Sequence, residues 1–351
     1  MKHYTIPFFI PHRGCPFTCV FCSQKKISGS LDSIKPSDIP DRIRRYLKAI
    51  PKSDRVVDAA FFGGSFTGLP PAEQISFLKA VQPFIKKKLI HSIRISTRPD
   101  YIDQKALDLV KAYNVSAIEL GVQSISDDVL EASKRGHTAS DVKKASKLIL
   151  KNGIVLGHQM MVGLPKSTLA KEIATAKASI KMKASEVRIY PLLVIKGTKL
   201  EDIYRSGRYC PMSETEAISR CAGIVELFKE NGIKILRLGL HPSEGLLTGK
   251  DIVAGPFHTA FGQKVESFIF GKRLKSILKM GKSAFSIKRI LVNPKDEASA
   301  VGYERCNADA VEAKLGKGKI FGVSADIPKG AIRILYDDGS VKEDLPCRRK
   351  R

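Results

Sequence analysis

The sequence predicts an α/β fold, a parallel sheet with helices outside it, followed by a small α+β domain. Three observations carry this. Six short apolar runs rich in β-branched residues recur before residue 200, the pattern of parallel strands buried on both faces. Segments with apolar residues at helical spacing lie between them, as βα units require. After about residue 275 the order changes to strand, helix, strand, strand. The expected domains are therefore 1–275 and a basic 276–351.

In chain order, strands are expected at Thr5–Pro11, Val56–Phe62, Ser92–Thr97, Ala117–Val122, Val155–Val162 and Glu186–Val194. Pro70-Pro71 opens a helix with Ile75, Leu78 and Val81 on one face; Ala106, Val110 and Tyr113 mark a second, and Ser167 to Lys183 a third. Ser213-Glu-Thr-Glu216 is a capping box whose helix stops at Asn231-Gly232. In the second domain, Ile287–Val292 reads as a strand, a helix runs to about Leu315, and Lys319–Val323 and Ala331–Leu335 read as further strands.

Composition narrows the function classes. No apolar run approaches the ~18 residues of a membrane span, and the N-terminus shows no secretory signal. Seven cysteines, an odd count, argue against a secreted disulfide framework and for a reducing cytoplasm. The net charge of +25 points to a polyanionic partner, nucleic acid above all, with a solvated basic surface as the alternative. Gly271 to Ile290 carries Lys272, Arg273, Lys275, Lys279, Lys282, Lys288 and Arg289 without an acid, and the chain ends Arg348-Arg-Lys-Arg351.

The stretch richest in chemistry follows the first strand: Arg13-Gly-Cys-Pro-Phe-Thr-Cys-Val-Phe-Cys22. Cys15, Cys19 and Cys22 are spaced to hold an iron–sulfur cluster through three thiolates, which leaves one iron without a protein ligand. A zinc knuckle or buried structural thiols are the competing readings, and His12 is the one nearby fourth ligand. The second strand ends in Phe61-Phe-Gly-Gly-Ser-Phe-Thr67, where two glycines let backbone approach a ligand closely. Glu119 and Gln123 share a strand face, as do Arg188 and Tyr190. Inward polar groups of this kind need partners or a ligand; a buried pair of Arg188 with Glu119 is the alternative to ligand contact. Cys221 falls on an apolar helix face and reads as packing.

With its aromatic Phe21 before the last cysteine, this motif resembles the radical S-adenosylmethionine (SAM) superfamily. Ser96-Thr-Arg-Pro-Asp100, Gly121-Val-Gln-Ser124, Lys134-Arg-Gly-His137, Gly163-Leu-Pro165 and Ile189-Tyr-Pro…Gly197-Thr198 are similar to the radical-SAM half of the Elongator catalytic subunit. The resemblance covers residues 1 to about 270. It implies a partial (β/α)6 barrel, a 4Fe-4S cluster on Cys15, Cys19 and Cys22, and SAM chelating the open iron. It implies SAM contacts at Gly63, Gly64, Ser65 and Thr67, at Gln123 near the ribose, and at Arg135 near the carboxylate. Arg188 is a further SAM candidate, and Tyr190 a stacking candidate for adenine. Relatives place a His or Asp where Gln159 stands; His158 is one position off and does not take that role.

The implied activity is reductive cleavage of SAM to a 5′-deoxyadenosyl radical, with flavodoxin or ferredoxin as electron donor; the charge and the character of the last region point to RNA, tRNA included, as substrate. An acetyltransferase domain is not expected, since residues 276–351 are too few for one. The last region resembles a KH RNA-binding fold with a degenerate loop, Gly302-Tyr-Glu-Arg305. Two rival readings stay open. One is an oxygen-independent coproporphyrinogen oxidase-like enzyme acting on a tetrapyrrole or other small substrate. The other is a non-catalytic iron–sulfur RNA binder.

Overall fold

The computed structural model describes residues 2–16, 19–23, 26–27, 34–240, 243–279, 286–316, 318 and 320–345. The chain divides into two compact units, 1–213 with 233–257, and 214–232 with 258–351. His241, Lys282 and Arg348-Arg-Lys-Arg351 lie outside the described residues.

The first unit is built on strands β1 (Lys2–Phe9), β2 (Arg55–Phe62), β3 (Ser92–Thr97), β4 (Val115–Gln123), β5 (Val155–Val162) and β6 (Glu186–Pro191), with a two-residue β7 (Val194–Ile195) and β8 (Lys234–Leu238). All but β7 form one parallel sheet in the order β1-β2-β3-β4-β5-β6-β8. Helices α1 (Ile39–Ala49), α2 (Pro71–Lys86), α3 (Gln104–Ala112), α4 (Asp127–Ala132), α5 (Ala139–Lys151) and α6 (Leu169–Lys181) fall between the strands. Their apolar stripes, such as Ile39 and Ile43, Phe77 and Val81, or Val142 and Ile149, pack on one sheet face with Ile6, Phe8, Phe61, Ile95 and Leu120. Each such fully buried side chain contributes about 1.5–3 kcal/mol. Residues one position away along the strands face the other side. Thr5 and Phe9 at one edge and Lys234 and Arg237 at the other line the same cavity, so the sheet is curled into an open barrel.

The seventh parallel strand, β8, extends the six-strand expectation. It is short and half-exposed, so it lacks the fully apolar signature of the others. The first strand ends at Phe9 rather than Pro11, and Pro7 is tolerated because β1 is an edge. The sixth strand stops at Pro191. The chain then turns away, and β7 pairs antiparallel with β9 (Ile252–Ala254), which follows the helices α7 (Lys199–Arg205), α8 (Glu214–Glu230) and α9 (Glu244–Leu247) in sequence.

In the second unit α8 joins α10 (Phe261–Leu278), β10 (Ile287–Val292), α11 (Glu297–Val301), α12 (Cys306–Leu315), β11 (Phe321–Val323), β12 (Ile332–Tyr336) and β13 (Val341–Asp344). Its sheet order is β11-β10-β12-β13, with β10 and β11 parallel. Phe270, Leu274, Ile290, Val311, Ile332 and Ile334 form its core. The Gly302-Tyr-Glu-Arg305 stretch joins α11 to α12. Glu304 and Arg305 there adopt positive φ, 51° and 62°.

Candidate active site

The site begins where β1 and β2 leave the sheet. Ile10 still donates its N–H to Phe62 O (2.9 Å), and the loop then turns through His12 (φ 59°) and Gly14 (φ 70°). The two loops interlock. Ser65 donates its backbone N–H to Arg13 O at 2.8 Å. A Cβ on Gly14 would stand 2.1 Å from Ser65 O, and one on Gly64 2.1 Å from Arg13 O. Only glycine permits either approach. Beneath them Phe61 packs against Phe8, Phe66 and Phe77 with ring centroids 5.2–5.6 Å apart.

The three predicted thiols are on the first loop. Cys19 is buried with Val20, Phe21, Val129, Leu164 and Leu200; Cys15 and Cys22 are half-buried, and Cys22 opens onto the cavity. The backbone around Cys19 is pinned on two sides: Val20 N donates to Ser133 O (3.2 Å), and Leu200 N donates to Val20 O (2.7 Å). The Arg135 guanidinium donates to Cys19 Sγ (3.3 Å) and to Gly121 O (2.6 Å). Burial pushes the Cys15 thiol up, as does Cys19 beside it, while Arg135 and Arg98 oppose this. Among the described residues no three thiol, imidazole or carboxylate groups are gathered for one metal ion.

Beside this loop the curled sheet encloses a cavity of about 660 Å³. Its cysteine side is apolar and aromatic, with Phe9, Phe21, Phe62, Met161 and Leu192, and its far side carries Asp58, Arg94, Glu186 and Lys234. Of the predicted cofactor residues, Gly63, Gln123, Arg188 and Tyr190 line it. Gln123 ends β4 with φ 61° beside a register shift, and its Oε1 is buried without a hydrogen-bond partner among the described residues. Arg188 donates Nε and a terminal nitrogen to Glu119 (2.6 and 3.1 Å), and its guanidinium lies 4.8 Å from the Phe62 ring centroid. The Arg188–Glu119 ion pair is thus present, and Arg188 still lines the cavity. Burial opposes the Glu119 charge, but Arg188 and Arg94 outweigh it and hold the carboxyl below the usual range. Burial raises the Tyr190 phenol against the pull of Arg188.

The other predicted residues are placed differently. The Ser65 and Thr67 hydroxyls both bond Thr97 Oγ1 (2.8 and 2.6 Å), tying the second loop to the end of β3. Gly64 serves the loop contact described above. Arg98 forks onto Asp100 (3.0 and 2.8 Å). Arg135 and His137 are buried rather than sitting on a solvated helix end. Burial, then Arg135 and Arg98, push His137 down to about 3. His158 sits between Ser146 and Ser179 (3.0 Å each), outside the cavity, and burial pushes it down to about 3 as well. Gln159 instead faces inward and donates to Glu119 at 3.0 Å.

Sequence reasoning passed over Arg94 and Glu186, which form an ion pair, and Lys234, 3.7 Å from Glu186. Alternation was the available signal: Arg94 lies two residues before Ser96, and Glu186 two before Arg188, on the same inward faces.

No helix among the described residues is long and apolar enough to cross a membrane. A family model described as the Radical SAM superfamily matches residues 9–177, and one described as the Radical_SAM C-terminal domain matches residues 184–269. Uncharacterized protein MJ0486 of Methanocaldococcus jannaschii is 32% identical over 224 residues, 61% of this chain and 68% of that protein. The tRNA uridine(34) acetyltransferase of the same organism is 38% identical over 127 residues, 35% of this chain and only 24% of the enzyme. The solved structure of archaeal Elp3 from Methanocaldococcus infernus, with residues 1–46 deleted, superposes with a TM-score of 0.62 at 22% identity, over 77% of this chain and 63% of that one. The cysteine loop at the carboxyl ends of the strands, the curled parallel sheet and these matches agree: the chain belongs to the radical SAM superfamily and is an enzyme of that class.

Proposed function

We propose that this chain holds a 4Fe-4S cluster on Cys15, Cys19 and Cys22, cleaves SAM reductively in the adjoining cavity, and acts on RNA, tRNA included. The observation that carries it is the loop itself. Three thiols stand at the carboxyl end of β1 beside a 660 Å³ cavity lined by Gln123, whose buried Oε1 has no hydrogen-bond partner among the described residues. A donor set of three thiols suits an iron–sulfur cluster with one open iron, and the thiols must draw together to take it. When bound, the cluster supplies one electron, received from a donor such as flavodoxin or ferredoxin, for breaking the S–C5′ bond of SAM.

The chain's own residues do the rest. Gln123 Oε1 accepts a hydrogen bond from a ligand hydroxyl. Gly63 lets the ligand approach the backbone, and Tyr190 and Phe62 offer flat apolar walls. The Arg188–Glu119 pair fixes the guanidinium against the Phe62 ring in the wall of this chamber. Arg135, as a SAM-carboxylate contact, is the weakest of the expected roles, because its guanidinium already serves Cys19 and Gly121.

RNA is favoured by the +25 charge and by the relative whose name places its chemistry on tRNA uridine 34. The β10-α11-α12-β11 order, with Gly302-Tyr-Glu-Arg305 between the helices, suits a KH-like reader. Arg305 is held by Asp309 (3.1 Å) and Glu312 (3.0 Å), so a phosphate must compete with two carboxylates for it.

Anaerobically reconstituted protein, given dithionite and SAM, is expected to release 5′-deoxyadenosine. The triple Cys15→Ala, Cys19→Ala, Cys22→Ala variant is expected to lose both this product and the iron chromophore. Zinc in place of iron, or an iron-loaded protein inert towards SAM, overturns the reading. Mass spectrometry of RNA from cells with and without the gene then identifies the modified nucleoside.

A further inference from the structure

We propose that Arg135 is a positioning residue for the cluster rather than for SAM: its N–H donation to Cys19 Sγ sets the reduction potential of the group that Cys19 ligates. The inference rests on the cluster reading above and adds a role that the motif alone did not suggest.

Four features place this side chain. Arg135 lies between Lys134 (φ 51°) and Gly136 (φ 75°), and its own N–H is fixed on Leu130 O at 2.9 Å. Two residues earlier, Ser133 O receives Val20 N, so one short segment grips the backbone beside Cys19 and also delivers the guanidinium. One terminal nitrogen is held by Gly121 O at 2.6 Å, where a Cβ on residue 121 would stand 3.1 Å from it. The other donates to Cys19 Sγ at 3.3 Å, and the side chain is almost fully buried, the residue being 7% exposed. The fork is thus aimed by a backbone carbonyl at a sulfur, in surroundings that screen it little.

Hydrogen bonds to ligand sulfurs, and cations near them, tune cluster potentials. Reduction adds one negative charge to the cluster. A buried cationic donor on the ligand sulfur stabilises the reduced form more than the oxidised one. Its removal makes the cluster harder to reduce. Only the part of a charge-assisted hydrogen bond that differs between the two oxidation states counts, and it is smaller than the whole bond; losing it is expected to change the reduced-to-oxidised ratio at a fixed potential by up to about tenfold, which is about 59 mV for one electron.

The test compares wild type, Arg135→Gln and Arg135→Lys after anaerobic reconstitution. Iron and sulfide are counted first, then the potential is measured by EPR-monitored redox titration without SAM, then SAM affinity is measured. We expect Arg135→Gln to keep its iron and to titrate at a more negative potential. Lys keeps the charge without the planar fork, so Arg135→Lys is expected between the two. Because SAM is absent, a contact to the SAM carboxylate would not produce this shift. A loaded Arg135→Gln or Arg135→Lys protein with the wild-type potential overturns the proposal, the more so if its SAM affinity falls instead. Wild-type protein that takes up no iron defeats the cluster reading itself and this inference with it.

Discussion

Replacing Gly64 by alanine tests whether the two loops at the mouth of the sheet hold the cysteines in place. Two costs arise. The first is conformational: φ at Gly64 is 68°, where an L-residue pays about 1–2 kcal/mol. The second is steric. The new Cβ would lie 2.1 Å from Arg13 O and 2.8 Å from Ile10 O, against the 3.0 Å below which real Cβ atoms are essentially never found. Both obstacles are backbone, so the cysteine loop must retreat by about an ångström. Gly153→Ala isolates the first cost, because Gly153 has φ 72° and nothing within 4 Å of its Cβ position. Thermal unfolding and iron content after reconstitution are the measurements. We expect Gly153→Ala to lower the melting temperature by a few degrees, at roughly 2–4 °C per kcal/mol, and to bind iron fully. Gly64→Ala is expected to lose more stability and most of its iron. Equal melting temperatures and full iron in both variants would refute the interlock.

Two further predictions concern the buried charges. Glu119 bridges Arg188 and Arg94 while only 1% exposed. Glu119→Ala takes the carboxylate partner from the buried Arg188, while Arg94 keeps Glu186, and is expected to cost about 3–5 kcal/mol in urea unfolding, with Glu119→Gln milder. A cost under about 1 kcal/mol would show that the network is hydrated. The depressed pKa of Glu119 means that its contribution is complete above the unfolded carboxyl pKa and is lost as pH falls through the folded one. His158 is held neutral, with its pKa pushed down to about 3. The unfolded chain binds a proton there below about 6.5, so stability is expected to fall as pH drops from 6.5 towards 3, by up to about 1.4 kcal/mol per unit. Unfolding midpoints at pH 5 and 7 should therefore differ less in His158→Gln than in wild type; an unchanged difference contradicts the assignment.

The parts of the fold that could be read from sequence are those with a strong local period. β3, β5 and β10 fall where the apolar runs place them, and the cysteine loop follows the first strand. β8 escaped because its five residues are half-exposed and mix lysine and arginine with leucine. Alternation showed Gln123 and Arg188 as inward polar residues, but not that Arg94, Glu186 and Lys234 join them around one cavity.

The amino-acid sequence alone determined which atoms could meet a metal and where along the chain they stand. Three thiols within eight residues, and glycines at two strand ends, are local facts that spacing and φ preference express without reference to the rest of the molecule. Only the tertiary structure decided who partners whom. Ser65 and Thr67 spend their hydroxyls on Thr97, some 30 residues away. Arg188 turns to Glu119 across 69 residues, and Arg135 reaches Cys19 across 116. Each of those choices weighs one buried polar group against every other that the closed fold brings within about 3 Å. That comparison does not exist until the sheet has curled and the loops have met.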